Sequence, residues 1–188
     1  MMSWSLVQYV LTAAFRDRVI TALLILIVLG ASLSVFFGSA AIIEKDQFTA
    51  VFAAGGLRIA GAFGLVLFVV FFMRRSFEGK DVEFLLSRPI GRVQFLVSYA
   101  VAFWVLALLM ATTQGLAIYI LSPHLFGAGH MLWILSIAAE NIIMVSMALF
   151  FSMFLSSAAT AAIASFGFYV LSRMMGQILG ILSSEFSG

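Results

Sequence analysis

Long stretches with almost no charged residues constrain this chain more than any other feature. Five of them lie at residues 19–38, 48–73, 95–121, 131–155 and 158–182, and only Arg58, Glu140 and Arg173 interrupt them with charge. About 20 apolar residues suffice for a helix to cross the hydrocarbon core of a bilayer. Only 10% of all residues are charged, against about a quarter in soluble domains. The sequence therefore predicts an all-α, polytopic bundle of five transmembrane helices, forming a single domain over residues 1–188.

The distribution of basic residues predicts how these spans are oriented. Lys and Arg accumulate in the short loops on the cytoplasmic side of a membrane protein. One side of the predicted bundle carries Arg16, Arg18, Arg74, Arg75, Lys80, Arg88 and Arg92, whereas the opposite connections carry Lys45. We therefore expect a multi-pass protein of the inner (plasma) membrane with a cytoplasmic N-terminus. With five spans, the C-terminus would lie outside.

Residues 3–17, ahead of the first span, have the pattern of an amphipathic helix. The apolar positions are Trp4, Val7, Val10, Leu11, Ala14 and Phe15, set against Ser5, Gln8, Thr12 and Arg16. With Trp4 as an anchor, this helix is expected to lie in the plane of the cytoplasmic membrane surface. A cleaved signal sequence is the alternative, but the apolar residues begin well before the arginines that would form its basic region.

The longest polar segment is the predicted cytoplasmic connection at residues 74–92. Its acidic residues come first and its basic residues last, an order that complements a helix dipole, and Pro89 limits the helix to residues before it. Residues 77–88 are therefore expected to form a short helix that protrudes into the cytoplasm. Two interpretations stay open, namely a plain interfacial linker with positive-inside arginines and a docking element for a cytoplasmic partner.

A resemblance favours the docking element. Glu78-Gly79, followed by Leu-Leu-Ser-Arg-Pro-Ile-Gly-Arg at residues 85–92, resembles the first cytoplasmic loop of type-two ABC exporter permeases. These are the membrane subunits of ATP-binding-cassette exporters. In that family an acidic stretch and a similar motif lie between the second and third spans, and an interfacial helix precedes the first span. The order of elements agrees from residue 3 to residue 182, and the specific similarity is concentrated in residues 78–92.

The resemblance implies that the loop is a coupling helix, seated in a groove of a separate ATPase subunit. The implied contact residues are Glu78, Asp81, Glu83, Phe84, Leu85, Leu86 and Arg88. The chain contains no G-x-x-x-x-G-K-[ST] phosphate loop, so it is not expected to be an enzyme by itself or to bind a cofactor. ATP and Mg would be held by the partner. The family also implies a second permease copy or a related permease, and no nucleic acid.

The number of spans departs from the family pattern. Family members usually have six spans and end inside, whereas five are predicted here. Either the gene is truncated before a sixth span, or the protein is a reduced member that does not transport by itself. The second explanation corresponds to an alternative function, a membrane scaffold or anchor that recruits a cytoplasmic protein through residues 74–92.

Arg58, Glu140 and Arg173 are charges inside predicted spans. An ionised side chain near the bilayer centre costs about 2.5–3.5 kcal/mol, so each requires a partner or water. Counted at about 1.5 Å per residue, all three fall about 10–15 Å below the outer surface, close enough in depth to form one cluster. The cluster either lines an outward substrate path or gate, or contains a Glu140–Arg173 pair that fixes helix packing. Of the three, Arg58 is the residue expected to extend outward to the interface.

Two other polar groups are weaker candidates. Thr112, Thr113 and Gln114 form a small polar patch in the third span, which faces either a lumen or the neighbouring backbone. His124 and His130 lie in a predicted outer loop near a methionine. Methionine is a common filler of apolar helices, so no metal site is expected there.

Overall fold

A computed structural model describes residues 4–16, 18–40, 45–79, 91–121, 123 and 127–186 of the chain. Within these ranges there are six α-helices: α1 (Trp4–Arg16), α2 (Arg18–Ala40), α3 (Lys45–Glu78), α4 (Arg92–Leu121), α5 (Ala128–Phe154) and α6 (Ala158–Phe186). The described residues contain no strand. The prediction of an all-α fold is confirmed.

Four helices in the described part of the chain are long and apolar enough to cross a membrane. Their apolar stretches are Thr49–Glu78, Val93–Leu121, Ala128–Phe154 and Ala158–Gly176. α1 and α2 together form a further candidate span, bent by 57° at the break between them. The chain is therefore a multi-pass helical protein with four candidate spans, or five if the bent pair crosses the membrane as one.

α3 is the central helix of the bundle, since it packs against α2, α4, α5 and α6. Small residues allow helices to approach closely. A Cβ at Gly64 of α3 would overlap Leu23 of α2, and one at Gly115 of α4 would lie 2.8 Å from Ile134 of α5. In lipid, apolar burial gives little net attraction between helices, so close packing of this kind is a main source of their association.

Aromatic side chains fill the interface between α3 and α4 at the ends of these helices that face their connection. Phe72 of α3 meets Tyr99 and Phe103 of α4, with ring centroids 6.3 and 5.8 Å apart. Phe68 lies 6.1 Å from Phe103 in an edge-on arrangement. Such pairs contribute about 0.5–1.5 kcal/mol beyond the burial of their area. The ends of α3 and α4 next to their connection are therefore held firmly together.

The N-terminal helix is amphipathic, and part of its apolar face packs against the rest of the protein. The buried side chains of α1 are Leu6, Val7, Val10 and Ala14, and the helix packs mainly against α4. Trp4 and Phe15, which the sequence placed on the same apolar face, are 61% and 59% exposed. The predicted apolar face is thus divided into a stripe that contacts protein and another that faces outward, because a helix of this length presents apolar residues over a wide arc.

The connection predicted at residues 74–92 begins later than the sequence suggested. α3 continues to Glu78, so Phe77 and Glu78 belong to its last turn rather than to the start of a separate helix. An ion pair from Arg74 Nε to Glu78 Oε1, at 2.8 Å, stabilises this turn at the four-residue spacing that helices favour. Residues 80–90, which hold the rest of the predicted coupling helix, lie outside the described residues.

Candidate functional site: an intramembrane polar cluster

The structure brings the three intramembrane charges together. Arg58 Nε of α3 lies 2.7 Å from Glu140 Oε2 of α5, and the Arg58 guanidinium also donates a hydrogen bond to the hydroxyl of Ser136. The Arg58 and Glu140 side chains are 15% and 21% exposed. Arg58 is therefore directed into the bundle and bound to α5, in contrast to the expectation that it extends outward to the interface.

Arg173 of α6 is the more loosely held cation. Its Nη1 lies 3.9 Å from Glu140 Oε1, and its side chain is 47% exposed. This distance is longer than a hydrogen bond, and Arg173 makes no hydrogen bond within the described ranges. Glu140 is thus paired mainly with Arg58, and the Glu140–Arg173 pair considered from the sequence is the weaker of the two contacts.

The cluster lies far from the ends of α3 and α5 and carries an excess positive charge. Arg58 is about 20 Å along α3 from Lys45, and Glu140 is about 18 Å along α5 from Ala128, at about 1.5 Å per residue. Two guanidinium groups face one carboxylate, which leaves one formal positive charge. Because an ion in hydrocarbon is costly unless it is paired or hydrated, this excess charge requires a counter-ion, water or a lipid headgroup.

A cavity of about 640 Å³ opens beside the cluster, between α5 and α6. Its polar lining consists of Ser136, Glu140, Tyr169, Ser172 and Arg173, and its apolar lining includes Ile143, Met144 and Phe168. The Tyr169 hydroxyl lies within electrostatic reach of Glu140 and of both arginines. Arginine, tyrosine and serine side chains donate hydrogen bonds, so one side of the cavity is suited to bind an acceptor and the other to contact hydrocarbon.

A buried amide network lies next to the ion cluster and joins α3, α4 and α5. Gln114 Nε2 donates to the backbone oxygen of Leu57 at 2.7 Å, and Asn141 Nδ2 donates to Gln114 Oε1 at 3.3 Å. Both amide side chains are fully buried. Gly61 provides the space for them, because a Cβ there would overlap the Gln114 amide. Leu57 and Asn141 are sequence neighbours of the Arg58–Glu140 pair, so the two sets of polar contacts tie the same helices together.

Sequence reasoning identified the charges but missed several of the groups around them. Ser136 precedes Glu140 by one helical turn, and Tyr169 precedes Arg173 by one turn. A search at four-residue spacing around each charge finds both. Asn141 follows Glu140 directly, but its contact with α4 depends on how two distant helices pack, and no local sequence pattern indicates it.

The weaker candidates have ordinary roles or no described geometry. Thr112 and Thr113 donate hydrogen bonds to backbone oxygens of their own helix, at Leu109 and Met110. Only Gln114 of that patch reaches another helix. Within the described residues, no group of His, Cys, Asp or Glu side chains is arranged to hold a metal ion.

One member of the implied ATPase-contact set lies in the described part of the chain. Glu78 is exposed at the end of α3 and pairs with Arg74. The others, Asp81, Glu83, Phe84, Leu85, Leu86 and Arg88, lie outside the described residues.

Comparisons with known proteins do not assign the chain to a family. No protein-family model matches the sequence, and neither a curated protein nor a solved structure shows significant similarity to it.

Proposed function

We propose that this chain is a membrane-spanning permease subunit of an ABC exporter, driven by ATP that a separate subunit binds with Mg and hydrolyses. The observation that carries the proposal is the sequence of residues 78–92, with its similarity to the coupling loop of type-two permeases. A second copy of the chain, or a related permease, would complete the membrane part. The polar cluster would then belong to the path or gate that the substrate passes.

The position of the loop in the bundle supports this function. α3 carries the loop at one end and Arg58 near its middle. The aromatic contacts of Phe72 with Tyr99 and Phe103 hold α3 to α4 beside the loop. A displacement of the loop by an ATPase would therefore move these two helices together. Because Arg58 is bound to α5, the same displacement would act on the polar cluster.

The test is co-purification from mild detergent. The tagged chain is expected to bring down a subunit with a phosphate loop and ATPase activity. Charge reversal at Glu78 and Glu83 to Lys should reduce the recovered ATPase by about tenfold or more, which corresponds to about 1.4 kcal/mol of binding free energy. The matched control reverses Glu44 and Asp46, two acidic residues predicted on the opposite side of the membrane, and should leave recovery unchanged.

Recovery of the chain alone, or with a partner that does not hydrolyse ATP, would contradict the permease proposal. A non-ATPase partner lost on reversal of Glu78 and Glu83 would instead identify the loop as the docking site of a membrane scaffold.

A further inference from the structure

We propose that the cavity between α5 and α6 binds the anionic headgroup of an amphiphile, with Arg173 as its anchor. The inference deepens the proposed function and rests on it in one respect, namely that the amphiphile represents the class of molecule transported. The binding site itself follows from the charge and shape of the cavity.

The net positive charge of the cluster favours binding of an anion at Arg173. Glu140, which also lines the cavity, is paired through Oε2 with Arg58 Nε at 2.7 Å, whereas Arg173 stays 3.9 Å from Oε1, too far for a hydrogen bond. A guanidinium presents five N–H donors in a planar fork and binds phosphate or carboxylate through two of them at once. An incoming anion can thus pair with Arg173 without displacing Arg58.

A neighbouring hydroxyl group, that of Tyr169, fits the same kind of ligand. Tyr169 and Ser172 line the cavity together with Arg173, and all three lie on α6 within one helical turn. Hydroxyl groups donate hydrogen bonds to anionic oxygens. The Ser172 hydroxyl already donates to the backbone oxygen of Tyr169 at 2.8 Å, so the Tyr169 hydroxyl is the further donor for an acceptor group bound at Arg173.

The opposite wall requires that the ligand also have an apolar part. Ile143, Met144 and Phe168 line the cavity beside the polar groups, and Ile143 is 51% exposed. A small hydrated anion would leave this surface in contact with its water shell, whereas a hydrocarbon chain would cover it. A volume of about 640 Å³ lies in the range of small-molecule sites. The ligand chemistry is thus an acidic headgroup on a hydrocarbon body.

Two sources can supply that chemistry, namely an anionic phospholipid of the surrounding membrane and a separate amphiphile such as a long-chain carboxylate. Both would place the headgroup at Arg173 and the chain against Phe168. They differ in whether a membrane phospholipid competes for the cavity.

The experiment measures binding of a fluorescent fatty acid, cis-parinaric acid, to the full chain in phosphatidylcholine nanodiscs. Its methyl ester serves as the uncharged probe. Wild-type protein is expected to bind the acid about tenfold or more tightly than the ester, and Arg173→Gln should lose that preference. Arg16→Gln, which removes an exposed arginine at the end of α1, is the matched control and should retain it.

Competitors distinguish the sources. Displacement of the acid by phosphatidylglycerol would assign the cavity to membrane phospholipid, and resistance to it would assign the cavity to a separate amphiphile. Either result supports the proposed chemistry. Displacement by inorganic phosphate alone, at concentrations that match the acid, would overturn it, because the site would then recognise the anion without its chain. Equal binding of acid and ester, or equal preference in wild type and Arg173→Gln, would overturn it as well.

A second variant covers the case in which Arg173→Gln does not fold. Ser172 is exposed and lines the cavity, so Ser172→Trp should obstruct the site while the charges remain. Binding of the acid should then weaken about tenfold or more. Unchanged binding in a folded Ser172→Trp protein would contradict the location. The binding assay contains no ATPase, so its outcome is independent of the co-purification test. If the acid binds but no ATPase co-purifies, the binding site is supported and the permease proposal is contradicted. If an ATPase co-purifies but the acid does not bind, the permease proposal is supported and the binding site is contradicted.

Discussion

At the scale of single residues, the described part of the chain includes two ion pairs of nearly equal length, Arg58–Glu140 and Arg74–Glu78, in very different surroundings. Arg58 and Glu140 lie 2.7 Å apart at 15% and 21% side-chain exposure. Arg74 and Glu78 lie 2.8 Å apart at 42% and 65% exposure. Removal of one partner from a buried pair leaves an uncompensated charge, whereas the partner of an exposed pair is solvated by water. The two pairs thus form an internal comparison.

We expect Glu140→Gln to lower the free energy of unfolding by about 2 kcal/mol, since Arg58 and Arg173 both lose their carboxylate. Glu78→Gln, the control, should cost at most about 0.5 kcal/mol. Thermal unfolding in detergent measures both. The double variant Arg58→Gln with Glu140→Gln should be less destabilised than Glu140→Gln alone, because one of the unpaired cations is gone. Unchanged stability and unchanged transport in Glu140→Gln would show that the cluster is neither a packing device nor part of a pathway.

A second residue-scale prediction concerns Gly61. Alanine at this position would push the Gln114 amide away from Leu57 and Asn141, and the loss of two buried hydrogen bonds should cost about 1–3 kcal/mol. Gly56→Ala, on the same helix with no atom near the added Cβ, should be neutral or slightly stabilising.

The measurement for Gly61→Ala is again thermal unfolding, and its mechanism is tested by a double-mutant cycle with Gln114→Ala. Alanine at 114 removes the side chain that Gly61→Ala displaces, so the two effects should not add. Additive effects would mean that the amide network is not what Gly61 accommodates.

At the scale of elements, α1 differs from a helix that merely rests on a membrane. Val7 and Val10 are 1% and 0% exposed because α1 packs against α4, while Trp4 and Phe15 face outward. Amphipathic periodicity in the sequence predicts this helix. It does not distinguish an apolar stripe covered by lipid from one covered by another helix, because both surroundings are apolar.

Truncation of Val7 and Val10 to alanine should therefore release α1 from the bundle. Loss of about 1.4 kcal/mol of packing would speed amide hydrogen exchange in α1 about tenfold, as read by mass spectrometry. The control, Trp4→Ala with Phe15→Ala, removes more apolar area from the outward face and should change exchange less. The opposite ranking would mean that lipid contacts, rather than α4, hold α1.

At the scale of the whole molecule, hydropathy predicted the all-α fold and four of the five spans. The predicted span at residues 19–38 corresponds to α2, which is a candidate span only together with α1. The apolar stretches gave the long helices because a span must satisfy its backbone hydrogen bonds internally. The end of α3 was misplaced, since the helix continues past its apolar segment to Glu78, where the exposed Arg74–Glu78 pair lies in its last turns. The three charges of the polar cluster could be named from the sequence, but the choice of Arg58 over Arg173 as partner of Glu140 depends on tertiary packing.

The topology of the bundle can be tested by chemical labelling, because the chain contains no cysteine. The single substitutions Gly79→Cys, Gly127→Cys and Ser157→Cys fall at exposed positions between helices. Since α3, α4, α5 and α6 follow one another across the membrane, Gly79→Cys and Ser157→Cys should be labelled from the cytoplasmic face and Gly127→Cys from the other. A membrane-impermeant maleimide on intact cells makes the measurement. Labelling of Gly79→Cys and Ser157→Cys from opposite faces would contradict the proposed orientation.

The packing of α1 on α4 has a consequence for how the protein is made. A ribosome synthesises Trp4–Arg16 before Arg92–Leu121, against which it packs. Roughly a hundred more residues must be added before that surface is complete, on the order of ten seconds at typical rates of synthesis. During that interval the nascent helix has lipid, but not its final neighbour, to cover its apolar side chains. α1 thus reaches its final place only after a much later part of the chain has been made.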